Sequence, residues 1–522
     1  MNLITGDWIP VLFNNRVQKD VGLRELYEKS REIRDLVLNP PQRISVMRLL
    51  ICITQAALDG PENEKDWLEC ESYIPEKSIK YLDERMDLFN LYGKKRFMQF
   101  DRLVANEWKP LDKLDFSSPS ASTLFEHNAS SEFVRERNDA WKAINLITLL
   151  NFHTTGKVGQ SILDEVNLNH PTFPTLCIGH SHTILKGDNL LETIHLNLLT
   201  QKEVSNLPNG KWGKPAWDYF PASATDIEAI GNATRTYLGR LLPLSRLILL
   251  DQSQESTKCI IGPTPKTIEY EQLPSFREPS TTVLIGKTNN LYYLRISSER
   301  HIWRDLGSVL FLSSTSGAAL TLNKTSIISG ESNNKTIDVW VGGLELGEQA
   351  AKLNDMVEWN LSLPLNLLGE SVLLKYQKGV EKAVVCEGVL KRAVSVYLEK
   401  FGYDKFQKDA RGGFTKKSKK DWETREKILS KAALKYWQFL DNKYQVLIDT
   451  SCDDTDTKTI EGDWRNLIYD AMNHAYETAC PHETPRQIQA FVIGKRNLHI
   501  GKNGKSEKQV LNTLETKGVD PE

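Results

Sequence analysis

The sequence predicts an α+β protein: a large mixed N-terminal domain over residues 1–364, a C-terminal four-helix bundle over 365–500, and a flexible tail over 501–522. Three observations carry this. At 522 residues the chain is too long for one ordinary core. Between residues 259 and 345, short β-like runs (TTVLIG, LYYLRI, SVLFLS, TIDVWVGG) alternate with polar turns. Beyond Pro364 the pattern changes to four long amphipathic stretches joined by short or charged connections.

In order along the chain, MNLITGDWIP reads as a strand-like segment ending at Pro10, and GLRELYEKSREIRDLV as a short helix through Leu23, Leu26 and Leu36. PPQRISVMRLLICITQAAL starts on a double proline and is apolar at Ile44, Met47, Leu50, Ile51 and Ile53, so it predicts a buried helix. Trp67 to Leu91 continues helical spacing. The turn after it carries Lys94, Lys95 and Arg96, a cluster that suits either a solvated turn or a phosphate backbone. Residues 115–130 form a Ser-rich loop around Phe125 and His127, long enough to suggest function. AWKAINLITLLNF is a helix. HTTGKVGQS follows it and does not satisfy the GxxxxGK[ST] phosphate loop, which leaves a plain turn or a close backbone approach to a groove.

GHSHTILKGDNLLETIHLNLLT holds His180 and His182 at alternating positions and His195 on a helix, without a carboxylate or cysteine at ligand spacing. Residues 201–225 read as a loop, and IEAIGNATRTYLGRLLPLSRLILL as helix and then strand. WVGGLELGEQAAKL is a turn built on Gly342 and Gly343 with Glu348 and Gln349 at its tip. It is either a connecting turn or a rigid hairpin presenting Gln349 to a ligand. AKLNDMVEWNLSLP is too mixed in polarity to assign before Pro364. The helices that follow place Trp437, Leu440 and Tyr444, and Leu467 and Ala471, on their core seams.

Composition narrows the function. A formal net charge of −2 excludes a chain that coats nucleic acid unaided, since nonspecific phosphate binding needs an excess of cations. Residues 400–431, however, carry eleven Lys or Arg against five Asp or Glu, so the segment with Lys416, Lys417, Lys419 and Lys420 is either a solvated linker or a DNA-facing loop. Asp7 interrupts the first apolar run and no uncharged stretch nears the length of a membrane span, which predicts a cytoplasmic protein with no membrane partner. The seven cysteines show no CxxC pair and read as reduced, mostly buried thiols; neither metal nor cofactor is expected.

Several segments together resemble the large subunit, CasA, of the type I-E CRISPR surveillance complex Cascade. MNLITGDWIPV is similar to the family's opening, MDLFNLYGKKRFMQ to its segment ending in Phe-Met-Gln (Phe97, Met98, Gln99), and LKGDNLLETIHLNLLT, RLLPLSRLILL and VGGLELGEQA follow in the expected order. The resemblance spans essentially the whole chain; it is the ordered combination of segments that is specific. It implies a non-enzymatic subunit that recognises a protospacer-adjacent motif (PAM) in double-stranded target DNA from the minor groove. It further implies help in opening the duplex for the guide CRISPR RNA and docking of a helicase-nuclease. The implied partners are the backbone subunits, the small-subunit dimer and the guide-end subunits.

Carried onto this sequence, the family's glutamine wedge falls on Gln349 with Glu348 beside it, and the PAM-contacting lysine on Lys266. The glycine loop falls on Gly156, Lys157 and Gly159, although GKVG is poorer in glycine than the family pattern. The anchoring loop near the guide's 5′ handle matches Phe125, His127 and Asn128. Glu348 departs from the pattern: a carboxylate beside a minor groove is repelled by phosphate, so it either shifts PAM preference or points away. The cysteine cluster of some relatives is reduced to Cys259. The competing readings are a metal-dependent nuclease built on His180, His182 and His195, and a scaffold subunit that does not read a PAM.

Overall fold

The computed structural model describes residues 1–115, 137–156, 158–252, 257–311, 317–324, 336–347, 353–403, 416–453 and 457–499, with the backbone alone for 323, 416–420, 457–461 and 499. These residues form a mixed α/β protein that divides into two compact units, Met1–Leu365 and Asn366–Glu522. Among them, no helix is long and apolar enough to cross a membrane.

The first unit opens on turns rather than a strand: Gly6 N–H donates to Asn2 O, and the Asn2 amide reaches Met86 O and Asn90. Strand β1 (Ile9–Phe13) therefore begins where the sequence suggested an end, and β2 (Gln18–Val21) pairs along it. Helix α1 (Leu23–Glu28) stops short of its expected length, because Ile33 and Leu36 bury themselves as β3 (Ile33–Leu36) on the other side of β1. Helix α2 (Pro40–Leu58) starts on its prolines with Asn39 accepting from Gln42 N–H, and it is buried on nearly every face. Such a helix can serve as a central pillar. After α3 (Glu64–Cys70) come α4 (Ile74–Asp83), which packs on α2, and, past the two-residue strands β4 (Leu103–Val104) and β5 (Lys109–Pro110), α5 (Asp139–Asn151), which packs on α2 as well.

Further along come β6 (Ser161–Leu163), β7 (Val166–Leu168), β8 (His182–Lys186) and α6 (Leu190–Leu196). The stretch read as a loop from residue 201 contains α7 (Gln201–Ser205), started by a Thr200–Glu203 capping box. Then follow α8 (Ile227–Arg235), α9 (Tyr237–Leu241), β9 (Leu247–Leu250), β10 (Lys258–Gly262), β11 (Val283–Ile285) and β12 (Leu291–Tyr293). The start of SVLFLS is not a strand: Ser308 to Leu310 lie in α10 (Leu306–Leu310), where Leu306, Val309 and Leu310 recur at helical spacing and are buried. Strand β13 (Thr336–Leu346) pairs with β8 and with β14 (Leu353–Pro364), the segment that the sequence left unassigned.

The second unit holds α11 (Glu370–Phe401), α12 (Lys416–Asp441), α13 (Gln445–Cys452), α14 (Thr457–Ala479) and α15 (Pro485–Arg496). The second predicted helix is thus two helices, broken at residues 442–444, and its start lies upstream so that Lys416–Lys420 are helical rather than a linker. Helix α12 packs on α14, and α11 on α15. Of the predicted seam residues Leu440 and Ala471 are fully buried, but Trp437, Tyr444 and Leu467 are only half-buried, with the neighbouring Tyr436 and Ile468 taking the buried places of Trp437 and Leu467. The Tyr436 hydroxyl donates to Ala383 O (2.7 Å) and Trp464 Nε1–H to Gly379 O (3.0 Å), fixing the register of α12 and α14 against α11.

Candidate nucleic-acid interface

Strands β13 and β14 run antiparallel from Thr336↔Pro364 to Glu345↔Asp355, with a register shift between Glu345 and Leu346. Alternation builds this ribbon, with Leu353, Val357 and Leu361 inward on β14 and Asn354, Glu358 and Ser362 exposed. Trp340 is buried, donates to Glu358 (2.8 Å) and lies under the Arg43 guanidinium at 5.6 Å. Gly343 has no room for a side chain, because a Cβ there would come within 2.4 Å of His180 O. At the far end, the Glu345 carboxylate accepts from Ser297 Oγ (3.0 Å), Ser298 N (3.2 Å) and Ser298 Oγ (2.7 Å). The hairpin is anchored as far as Leu346, whose side chain lies against Gly179. Glu348 and Gln349 lie outside the described residues, as do Phe125, His127, Asn128 and Lys157.

Gly156 and Gly159 take φ values of +145° and +110°, which side chains disfavour. Thr172 clamps the first, its N–H and Oγ1 both donating to Gly156 O at 2.9 and 3.0 Å. Gly156 itself is exposed, with nothing within 4 Å of where a Cβ would sit, so its backbone is open to a close approach. Gly159 rests on Lys109, whose Nζ donates to Ile261 O (3.2 Å) and whose pKa burial lowers. Ser161 abuts Gly262 at the end of β10, and four residues later Lys266 stands exposed in a turn closed by Ile268 N–H to Pro265 O (2.9 Å). The glycine segment and Lys266 thus share one support, the β5–β10–β9 sheet.

Residues 172–182 connect the glycine segment to the hairpin. Thr172 holds Gly156, Thr175 N–H donates to His153 O (3.2 Å), Cys177 N–H to Asn151 O (3.3 Å), Gly179 receives Leu346, and His182 pairs with Gly342. Beneath this run lies Arg246, 2% exposed, donating from Nη2 to Phe173 O (2.8 Å) and Thr154 O (3.1 Å). No carboxylate among the described residues lies within ion-pair distance of it, Nε has no partner, and burial pushes its pKa down to about 9. Burial, then Arg246, pushes His153 down to about 3. Sequence reasoning missed Arg246 and Lys109. The available signal was a lone arginine inside the apolar run LPLSRLILL.

The three histidines do not form a metal site. His182 spends Nδ1 on Ser280 Oγ (2.8 Å) and Nε2 on Cys177 O (2.9 Å), and burial pushes it down to about 4. His180, whose ring centre is 6.4 Å from that of His182, is pushed down to about 3 by burial and then by His182. His195 stacks on Trp67 at 4.2 Å and bonds Trp67 O through Nε2 (2.7 Å). Among the described residues no three His, Cys, Asp or Glu cluster as ligands. All seven cysteines are free thiols, six of them buried. On α12, the backbone at Lys416, Lys417, Lys419 and Lys420 is helical.

Residues 2–475 match the family model described as CRISPR-associated protein Cse1. A CRISPR-associated protein CasA/Cse1 of Thermus thermophilus is 27% identical over 403 residues, covering 73% of this chain and 74% of that protein. A crystal structure of Thermus thermophilus CasA superposes with a TM-score of 0.76 at 21% identity, covering 95% of this chain and 98% of that one. A chain of a structure titled CRISPR RNA-guided surveillance complex superposes with a TM-score of 0.72 at 15% identity, covering 95% and 99%.

Proposed function

Since the chain belongs to the Cse1 family of CRISPR-associated proteins, we propose that it is the large subunit of a type I-E surveillance complex, working in the cytoplasm. It recognises a PAM in double-stranded DNA, helps open the duplex so that the CRISPR RNA can pair, and docks the helicase-nuclease. The observation that carries this reading is the run 172–182, which ties the open backbone at Gly156 to the base of the β13–β14 hairpin within one short segment. Backbone amides at Gly156 and Gly159 with the exposed Lys266 suit the minor groove, whose few acceptors support a short, permissive motif. A wedge at Gln349, beside Glu348, then unstacks the first pair at a cost of roughly a few kcal/mol, offset by the heteroduplex that replaces it. Exchange of one duplex for another is close to balanced, so no catalysis by this chain is required.

Phe125, His127 and Asn128, with Lys157, complete the proposed contact set toward the guide's handle and the DNA. The second unit is read as a four-helix bundle, with Gln445–Cys452 as a short additional helix, that meets the small-subunit dimer and displaced DNA. Lysines 416, 417, 419 and 420 in the first turns of α12 oppose the helix dipole, a cost that bound phosphate relieves. In a reconstituted complex, Gln349→Ala should weaken opening of a duplex target more than binding to a pre-opened one; equal loss on both would sink the wedge. Neutralising the four α12 lysines should lower affinity and flatten its dependence on salt by up to about one unit of log–log slope per lost contact. An unchanged slope would return that segment to solvent.

A further inference from the structure

The basic cluster Lys94–Arg96 takes no part in the interface above. It borders a cleft of about 330 Å³ in the first unit, within the size range of small-ligand pockets. The floor is apolar and aromatic: Met98, Phe100 and Trp217 are buried and Phe220 is half-buried, with the Phe100 and Phe220 ring centres 4.8 Å apart. The walls are braced. Arg96 donates to Leu250 O (2.7 Å) and pairs with Asp101 (3.1 Å), while Arg102 pairs with Asp164 (3.0 Å), whose other oxygen accepts from Ala224 N (3.0 Å). Both acidic side chains of the lining are thereby engaged with arginines. Lys94 and Lys95 are exposed on the rim, and no carboxylate among the described residues pairs with either.

We infer that this cleft binds an unpaired nucleotide of a single nucleic-acid strand, its base against the aromatic floor and its phosphate at Lys94 and Lys95. Aromatic side chains and cations together are the means by which proteins hold single strands without reading sequence. In a duplex the base faces are already stacked on one another, so the floor has nothing to gain from paired DNA. An acidic peptide would meet the rim but leave the floor without a flat partner. The site stands apart from the hairpin, so its failure would leave the proposed duplex-opening role untouched.

The test uses the full chain and a short oligothymidine bearing one 5-iodouracil. Irradiation should crosslink that base to peptides holding Phe100, Trp217 or Phe220. Replacing Lys94 and Lys95 together by glutamate should weaken oligothymidine binding by about tenfold while changing duplex binding by less than about twofold. Both side chains are exposed, so the fold should survive. Leu88→Trp, which narrows the cleft without altering charge, should suppress the crosslink. Adenosine monophosphate that displaces the oligonucleotide, with the same sensitivity to the lysine change, would support the site with a free nucleotide as occupant; no displacement would support a strand alone. Crosslinks mapping elsewhere, or equal losses on single strand and duplex, would overturn the inference and leave the lysines as ordinary phosphate contacts.

Discussion

Arg48 and Arg240 are buried around a shared carboxylate, each 2.9 Å from an oxygen of Glu278, whereas Arg246 is equally buried and meets only carbonyl oxygens and one imidazole. In the first cluster every charge has a partner. Burial alone would raise the Glu278 pKa, but Arg48 and then Arg240 outweigh it and hold the carboxyl below its usual range. Arg48 also donates to Leu241 O and Arg240 O, and Arg240 to Thr234 O, so the cluster ties α2 to α8 and α9. Around Arg246, burial acts without an anion to oppose it. A buried ion with its counter-ion rigidifies a core; a buried cation without one costs stability and is retained where the local arrangement is needed. Arg246 bonds directly into the segment that joins the glycine turn to the hairpin, at Phe173 O, whereas the Glu278 carboxylate, although near His180 and His182, is engaged by Arg48 and Arg240.

The sharpest way to break this comparison is to remove the counter-ion. Glu278→Gln leaves two buried guanidinium groups uncompensated and should cost about 3–5 kcal/mol, read from the first unit's urea transition. A loss below about 1 kcal/mol would mean that the carbonyl contacts, not the carboxylate, hold the cluster. Arg246→Met should cost less, within about 2 kcal/mol, because the lost hydrogen bonds are partly offset by removing an unpaired charge. Its larger effect should fall on binding of PAM-bearing duplex by the reconstituted complex. Arg246→Lys keeps the charge but, with one shorter-reaching nitrogen in place of the fork, cannot hold Ser245 O together with Thr154 O and Phe173 O. Recovery of binding by lysine would make the field decisive, and no recovery would make the tether decisive.

The same contrast explains what the sequence could disclose. The hairpin was legible in part, because TIDVWVGG alternates, but Gly342 and Gly343 do not make the turn read there: they lie inside β13, where the close approach of His180 O leaves Gly343 no room for a side chain. Its second strand was not, since Asn354, Glu358, Asn360 and Ser362 face outward and dilute the pattern. Strands of two or three residues, such as β4, β5 and β6, are too short for any period to register. In the second unit, adjacent Tyr436 and Trp437 compete for one seam, and the choice of Tyr436 depends on its hydroxyl reaching Ala383 O on another helix. Arg246 had no readable partner because its acceptors are backbone oxygens of Thr154 and Phe173, far away in sequence. Gly156 and Lys266 were named from the resemblance, but their common support, the sheet that carries Lys109, emerges only from pairing between distant strands.

The smallest expected effect separates the two arginine sites by pH. His153, beside Arg246, titrates near 3 in the folded chain against an ordinary 6.5. Between those values the unfolded chain binds more protons, so stability present above pH 6.5 declines as the solution is acidified, by about 1 kcal/mol at pH 5.5 for this one group. His180 and His182, pushed down to about 3 and about 4, act in the same direction. Glu278 contributes in a lower window, beginning only as pH falls toward the carboxylate range, because its depressed pKa is compared with an ordinary 4.5. His153→Gln should therefore flatten the stability profile between pH 7 and 5.5 and leave the steeper loss at lower pH, when Glu278 itself protonates. A profile unchanged by His153→Gln would mean that burial and Arg246 together do not hold His153 neutral, and that the surroundings of Arg246 are less dry than its partners suggest.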